Sequence, residues 1–487
     1  MNNPLADFLF NTMPIRSLES AFDPDHFRKE GHALVDLLGD YLERVQRKEP
    51  AVLPWVSPDV EAAFWKEVQF EDSLSFWQTV LARSIHLHHP RYMGHQTAVV
   101  ANEAALAALV SAVLNNGMAV YEMGAVSTAQ ERILIGILAE HLGLGTQSDG
   151  FFTSGGTIAN LTALLTARAV KAQQDVWEDG TKASFALMVS DEAHYCIDRA
   201  VRIMGWGREG IIRVPTNPQM QMDVAALPAL YETATASGKK VIAIVGSAGS
   251  TSTGAFDPLE VIADFAEQHN LWFHVDGAHG AASAFSETYK PLLAGIHRAD
   301  SVAMDFHKLL GTSGLVTALV YRTGVHSYQT FAQRADYLLE QTENPEWYNL
   351  GRRTLECTKN MMVLRAFALY QMYGTAFFAN QVEVLHGLAK RFAQLVREST
   401  DFTLCIPPQT NIVCFRYEPS HVKPEQLAAL NREIRQKIVA SGTFYLVQTQ
   451  VKGQFWLRLT LMNPLTSVED LQALLSEIRQ VANEIHL

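Results

Sequence analysis

LWFHVDGAHG (271–280) and SVAMDFHK (301–308) decide the fold. Each is a short apolar run, rich in β-branched and aromatic residues, that ends on a carboxylate and gives way to small or polar residues. Continuous apolar runs of this length read as strands buried on both faces. The same rhythm recurs on either side, in FALMVSD (185–191), GIIRVP (210–215), VIAIVGSAG (241–249) and GLVTALVYR (314–322). Helical patterns such as 259–269 lie between the runs. Strands separated by helices imply right-handed crossovers and a mostly parallel sheet with helices on both faces. In such sheets ligands sit beyond the carboxyl ends of the strands, which puts Asp276 and Lys308 where chemistry is expected.

Outside this α/β region the pattern changes. FRKEGHALVDLLGDYLERVQRK (27–48) puts Ala33, Leu34, Leu37, Leu38, Tyr41 and Leu42 on one helical stripe. A break at Pro50, Pro54 and Pro58 precedes a second amphipathic stretch, 76–87, and these helices have too little core to stand alone. The apolar run 98–114 carries Asn102 and Glu103, too short and polar to cross a bilayer, and reads as a buried helix. Toward the C-terminus a helical stretch from Arg353 to Gln394 leads into strands TNIVCFRYE (410–418) and QFWLRLTLM (454–462), then a helix from Ser467 to Ile485. The expected organisation is a helical segment at 1–95, a large α/β domain at 96–370 and a small α+β domain at 371–487.

Composition narrows the function. The 487 residues are 48% hydrophobic and 18% charged, enough to bury a large core and too apolar for a disordered chain. Lys plus Arg total 39 against 51 Asp plus Glu, a net charge of −12, which argues against nucleic-acid or anionic-membrane binding. Cys196, Cys357, Cys405 and Cys414 are widely spaced, with no paired ligand spacing, so a zinc ribbon or disulfide scaffold is not expected. The N-terminus has no basic start followed by an apolar run, and a reducing, cytoplasmic setting is the expectation.

FFTSGGTIANLTALLTAR (151–168) puts small and hydroxyl residues immediately before a strong helical pattern. Gly155 and Gly156 admit a ligand close to backbone N–H groups, Ser154 or Thr157 can donate a hydroxyl, and the helix start favours an anion. Neither a P-loop nor a dinucleotide fingerprint is present. Asp276 could pair with a protonated ring nitrogen, though alone such a carboxylate is more often a helix cap or a metal ligand. Lys308 follows an apolar run and precedes Leu309-Leu310, a setting for a cleft lysine whose pKa falls and whose amine becomes nucleophilic. Phosphate cradle, carboxylate and cleft lysine, in that order at strand ends, are what pyridoxal 5'-phosphate needs: anchor, partner for the ring nitrogen, and Schiff base.

HPRYMGHQ (89–96), TSGGTIANL (153–161), SDEAHYCIDRA (190–200), GSTSTGAFDPL (249–259), HVDGAHG (274–280) and DFHK (305–308) carry a resemblance. The chain resembles the group II pyridoxal-phosphate-dependent amino-acid decarboxylases, which act on aromatic, glutamate, cysteine-sulfinate and 2,4-diaminobutyrate substrates. The resemblance implies the aspartate-aminotransferase-like fold type I and a homodimer with shared active sites, to which the 115–128 segment contributes. It implies that Lys308 forms the Schiff base and Asp276 keeps the ring nitrogen protonated. Ala278 and His194 would lie on opposite faces of the ring, with Thr251 close to that histidine. Gly155, Gly156 and Thr157 would hold the phosphate, aided by His307 and Asp305. In FAQRADYLLEQTENPEW (331–347), Tyr337 stands at the family's spacing from Lys308 and would protonate the substrate carbon once carbon dioxide has left. A phenylalanine there would suggest an aldehyde synthase.

His95, Gln96 and Thr97 are expected to line the substrate entrance, and Arg352 to contact the substrate or tether the loop. Aromatic-specific members place aromatic residues near 94–97, and glutamate-type members read HPRYFNQ. Gly94-His95 looks closer to the diaminobutyrate branch. Polar groups in a closed pocket favour a substrate that hydrogen-bonds them, so the expected substrate is polar and non-aromatic, diaminobutyrate-like or acidic. An aromatic-L-amino-acid decarboxylase, and an aminotransferase or aldehyde synthase on the same fold, are the alternatives. A metal hydrolase built on His274, Asp276 and His279 would leave the lysine and glycine motifs unused; no metal is expected. A non-enzymatic relative would keep the cofactor residues for nothing. Cys196 and Cys357 read as small buried hydrophobes.

Overall fold

The computed structural model describes residues 18–331 and 346–485. Seven strands form the large sheet: β1 (Asp149–Thr153), β2 (Phe185–Ser190), β3 (Ile211–Val214), β4 (Lys240–Ser247), β5 (Trp272–Asp276), β6 (Ser301–Asp305) and β7 (Thr317–Tyr321). Their order is β1-β7-β6-β5-β4-β2-β3. All neighbours are parallel except β7, which runs antiparallel to both β1 and β6. The apolar runs therefore form the predicted sheet, with fully buried β1, β2, β5, β6 and β7. Strand β1 is an addition: DGFFT is too short to register as a separate run, and it pairs with a strand distant in sequence.

Both faces are covered. On one, Leu134, Leu138, Ile262, Phe265 and Phe378 pack against Ile244, Phe273 and Val302. On the other, Ala163, Leu164, Ile197 and Val201 cover Leu187, Val245 and Trp272. A second, antiparallel sheet of four strands has the order β10-β11-β9-β8, with β8 Phe402–Leu404, β9 Ile412–Tyr417, β10 Val447–Val451 and β11 Gln454–Thr460. The β10–β11 hairpin turns at Lys452 and Gly453, both at positive φ (49° and 77°), the conformation that suits a tight two-residue connection. The helices Leu427–Ser441 and Val468–Asn483 complete its core.

Two helical expectations need correction. The stretch from Arg353 forms a helix only from Val363, running to Glu398 with a break at Gly374. Residues before it are tied to the large sheet instead. The Arg353 guanidinium pairs with Asp149 at 2.7 Å, and Lys359 pairs with Glu131 at 2.7 Å, both pairs buried. The run 98–114 forms the helix Asn102–Leu114, but it is not buried throughout. Ala104, Ala107 and Ser111 face the interior, while Leu106, Leu109, Val110, Val113 and Leu114 are half exposed.

The N-terminal helices Pro24–Gln46, Pro58–Glu67 and Ser73–Arg83 bury only Val45 between them. Their connections dock on the smaller sheet's unit: Val52 N–H bonds the Gly442 carbonyl, and Lys48 and Arg91 both reach Asp470.

Candidate active site

Strands β5 and β6 run parallel with Asp276 opposite Ala303, so their carboxyl ends open on the same side of the sheet. Asp305 ends β6, and the chain beyond it brings His307 and Lys308 into the same cavity. The Lys308 Nζ lies 2.9 Å from Asp305 Oδ2, and His307 Nε2 lies 3.6 Å from the same oxygen. Thr317 Oγ1 donates to the other carboxylate oxygen at 2.5 Å. Burial raises the Asp305 pKa, but the charges of Lys308 and His307 and the hydrogen bonds outweigh it, leaving the carboxyl below its ordinary range. The expected fall of the Lys308 pKa does not occur. Burial lowers it, but the adjacent Asp305 carboxylate wins and the amine is held as a cation above its ordinary value.

The helix Gly156–Lys171 starts at the same cavity, next to Asp305. Gly155, at φ 118°, turns the chain from β1 into that helix in a conformation open to glycine. The Ile158 and Ala159 N–H groups return to the Gly155 carbonyl, so the N–H groups of Gly156 and Thr157 have no helical carbonyl to meet. A Cβ on Gly156 would come 3.3 Å from Asp305 Oδ1 and 3.4 Å from Ala278 Cβ, so the cradle is closed around a glycine. Ser154 is not a free donor, because its N–H and its hydroxyl both go to Glu356 Oε1, the N–H at 3.1 Å. Thr157 is left as the hydroxyl of this wall.

His194 caps the helix Tyr195–Ile203, accepting the Cys196 N–H at Nδ1 (3.3 Å). Burial lowers its pKa despite the opposing charge of Asp276. Asp276 Oδ1 accepts the Ala278 N–H at 3.3 Å. The Thr251 carbonyl is pinned by Arg458 Nη2 at 2.7 Å and the Ser252 carbonyl by Arg458 Nε at 3.2 Å. Together these residues enclose a cavity of about 410 Å³. Its lining includes Gly155, Gly156, Thr157, His194, Thr251, Asp276, Ala278, Asp305, His307 and Lys308.

His95, Gln96, Thr97 and Arg352 do not line this cavity. The 95–98 stretch runs beside it, with the Ala98 N–H bonded to the His307 carbonyl at 3.0 Å. Arg352 pairs with Glu346 at 3.0 Å. Tyr337 lies outside the described residues. Cys196 is buried as expected, with its thiol pushed up to about 12 by burial, whereas Cys357 is exposed on the turn that follows Arg353.

Three sets of contacts around the site depend on residues far apart in sequence. His274 is not aimed at a ligand. Its Nε2 bonds Asn160 Oδ1 and its Nδ1 bonds Ser301 Oγ, both at 2.8 Å, and burial lowers its pKa to about 4. Asn160, which lines the cavity, donates in turn to Cys196 Sγ. His279 bonds Asn411 at 2.7 Å, so His274, Asp276 and His279 do not converge, and no metal-ligand group of three forms among the described residues. Arg458, 5% exposed, has no carboxylate partner among the described residues. A lone charge inside the apolar alternation of WLRLT is the signal that could have singled it out.

The cavity fits pyridoxal phosphate: the N–H groups at a helix start suit a phosphate, and a carboxylate and a lysine amine line the same space. Residues 64–418 match the pyridoxal-dependent decarboxylase conserved domain. The chain is 27% identical to an aromatic-L-amino-acid decarboxylase of Bacillus atrophaeus, covering 95% of this chain and 97% of the relative. It is 29% identical to an aspartate 1-decarboxylase of Aliivibrio fischeri, covering 83% and 82%. A solved structure from Vibrio parahaemolyticus superposes with a TM-score of 0.81 at 25% identity, over 99% of this chain and 100% of that one. It is described as the glutamate decarboxylase domain of diaminobutyrate-pyruvate transaminase and L-2,4-diaminobutyrate decarboxylase. With a fold type I sheet, a lysine and carboxylate at adjacent strand ends and a conserved domain spanning most of its length, the chain belongs to the pyridoxal-dependent decarboxylase family: it is a pyridoxal-phosphate-dependent amino-acid decarboxylase.

Proposed function

We propose that the protein removes the α-carboxyl group of a polar, non-aromatic L-amino acid, acidic or diaminobutyrate-like, with Lys308 as the cofactor lysine. The observation that carries the site assignment is the convergence of Lys308, Asp276, His194 and the Gly155–Thr157 cradle on one cavity. Pyridoxal phosphate, when bound, supplies a ring that accepts the electron pair left behind as carbon dioxide departs. Lys308 holds the cofactor through its amine, and Asp305 sets that amine's charge. Asp276 would keep a proton on the cofactor's ring nitrogen, and Ala278 and His194 would hold its ring. Gly155, Gly156 and Thr157 bind the phosphate through the helix start, with His307 and Asp305 beside them and Thr251 fixed by Arg458. On its spacing alone, Tyr337 is the acid that returns a proton to the substrate carbon.

Substrate polarity is supported by Gln96. Its Nε2 is buried and has no hydrogen-bond partner among the described residues, so a substrate acceptor would relieve it. His95 and Thr97 beside it are exposed, and Arg352 is a further contact for the substrate's charge. A second reading, an aromatic substrate, is favoured by the Tyr92–Tyr445 stack beside His95.

The assembly we propose is a cytoplasmic homodimer. Leu106, Leu109, Val110, Val113 and Leu114, with Tyr121, Met123 and Val126 from the next helix, form an exposed apolar surface that a second copy would cover. No helix of the described residues is long and apolar enough to cross a membrane. Carbon dioxide release by the pyridoxal-phosphate-loaded protein, measured against a panel of polar, acidic and aromatic amino acids, tests the reaction and the substrate class. Turnover of aromatic substrates alone would overturn the polar reading. Sedimentation of a Leu109→Asp, Val113→Asp variant as a monomer is the expected result for the dimer.

A further inference from the structure

The backbone around residue 93 is clamped to a segment far away in sequence. Met93 N–H bonds the Tyr445 carbonyl at 2.9 Å, and Tyr445 N–H bonds the Arg91 carbonyl at 3.2 Å. This pairing brings the Tyr445 ring over Gly94. A Cβ built on Gly94 would lie 2.2 Å from both Cδ1 and Cε1 of Tyr445, so no side chain at 94 coexists with the ring in this place. The ring is held from the other side as well, stacked on Tyr92 with centroids 5.5 Å apart and planes 16° apart. Tyr92 is 2% exposed, and its hydroxyl accepts the His95 N–H at 3.2 Å, which fixes the stack to the backbone of the entrance segment. The His95 ring stands 5.9 Å from Tyr445. From His95 the chain reaches the Ala98 N–H bond to the His307 carbonyl, one residue from Lys308.

We propose that Tyr445 is a specificity-determining residue: seated in the space cleared by Gly94, it forms with His95 the wall that the substrate side chain meets. The inference deepens the decarboxylase reading and rests on it. A half-buried phenol whose pKa is raised by burial stays a neutral hydroxyl at working pH, able to donate or accept. The ring sets how much room the pocket leaves, and the hydroxyl rewards a polar group. The small-sheet unit thereby takes part in choosing the substrate, through a residue that neither lines the cofactor cavity nor sits in a cofactor motif.

The test uses the cofactor-loaded full chain and its variants Tyr445→Phe, Tyr445→Ala, Gly94→Ala and the double variant Gly94→Ala, Tyr445→Ala. Two quantities are read for each of several polar and aromatic amino acids: kcat/KM for carbon dioxide release, and the Kd from the change in the cofactor's visible absorption, which needs no turnover. Tyr445→Ala is expected to keep the cofactor band, raise KM and Kd for the preferred substrate about tenfold and reorder the panel. Tyr445→Phe is expected to weaken only the polar substrates, by a few-fold. Gly94→Ala is expected to lower the melting temperature and the affinity, and removing the Tyr445 ring is expected to restore the temperature. The proposal is overturned if Tyr445→Ala leaves the substrate ranking intact with cofactor bound, or if the Gly94 and Tyr445 effects simply add. Binding without carbon dioxide release in the wild type overturns the decarboxylase reading, while the ranking by Kd still decides Tyr445. A wild type whose absorption no amino acid alters overturns both.

Discussion

Asp276, Asp305 and Lys308 reach the cavity from the ends of two adjacent strands, whereas Tyr92, His95 and Tyr445 meet only because residue 93 is bonded to residue 445. The first group is positioned by the sheet itself. Parallel strands register Asp276 against Ala303, and the chain leaving β6 has little choice about where it puts Lys308. The second group is positioned by contact between two units of the molecule, through a stack and two backbone hydrogen bonds. The sheet thus fixes the chemistry, while the proposed selectivity wall depends on how two units of the molecule pack together.

The largest effects should fall on the sheet side. Lys308→Ala is expected to reduce carbon dioxide release to background and to remove the cofactor absorption band; a band that survives would break the assignment. Next comes Tyr337→Phe, expected to cut amine formation by about 10²–10⁴-fold with the cofactor retained, the usual weight of a positioned acid. Unchanged amine production would remove Tyr337 from the reaction.

Arg458 links the two regions, and Arg458→Met sharpens the comparison. It deletes two hydrogen bonds from a buried cation to the carbonyls of Thr251 and Ser252, each worth about 1.5–3 kcal/mol. Cofactor affinity, read by equilibrium titration, should fall together with substrate affinity, since the loop carrying Thr251 loses its tether. A fall in stability with both affinities intact would make the arginine purely structural.

The smallest effect is a pH dependence at the carboxyl end of β4. Asp257 is buried and accepts the N–H groups of Met222 (2.7 Å) and Ser247 (2.8 Å), yet burial raises its pKa to about 6. A carboxyl with a raised folded-state pKa binds its proton more tightly folded than unfolded. Its contribution to stability therefore falls as pH rises from about 4 to about 6 and is flat above, on the order of 2–3 kcal/mol in all. Urea denaturation at fixed protein concentration should show the gap between wild type and Asp257→Asn shifting across that window in favour of the wild type at the acid end. A gap independent of pH would contradict the raised pKa.

The same contrast explains what could be read from the sequence. The strands carrying Asp276 and Lys308 announce themselves because apolar runs and the residues that follow them are contiguous, and the glycine pair before the helix at Gly156 is equally local. Ser154 cannot serve as a donor because Glu356, far along the chain, takes both its N–H and its hydroxyl. Sequence neighbours show that Lys308 is buried, which alone would lower its pKa, but not the 2.9 Å contact with Asp305 that holds it up. The helix expected from Arg353 starts later for the same kind of reason: buried pairs to Asp149 and Glu131 override local periodicity. Tyr445 offered no pattern at all, since its meaning comes from Gly94.

The most direct measurement is borohydride reduction of the pyridoxal-phosphate-loaded protein followed by peptide mapping. A pyridoxyl adduct on Lys308, in the peptide that follows β6, is the expected result. An adduct confined to any other lysine, or none on a protein that releases carbon dioxide, would contradict it.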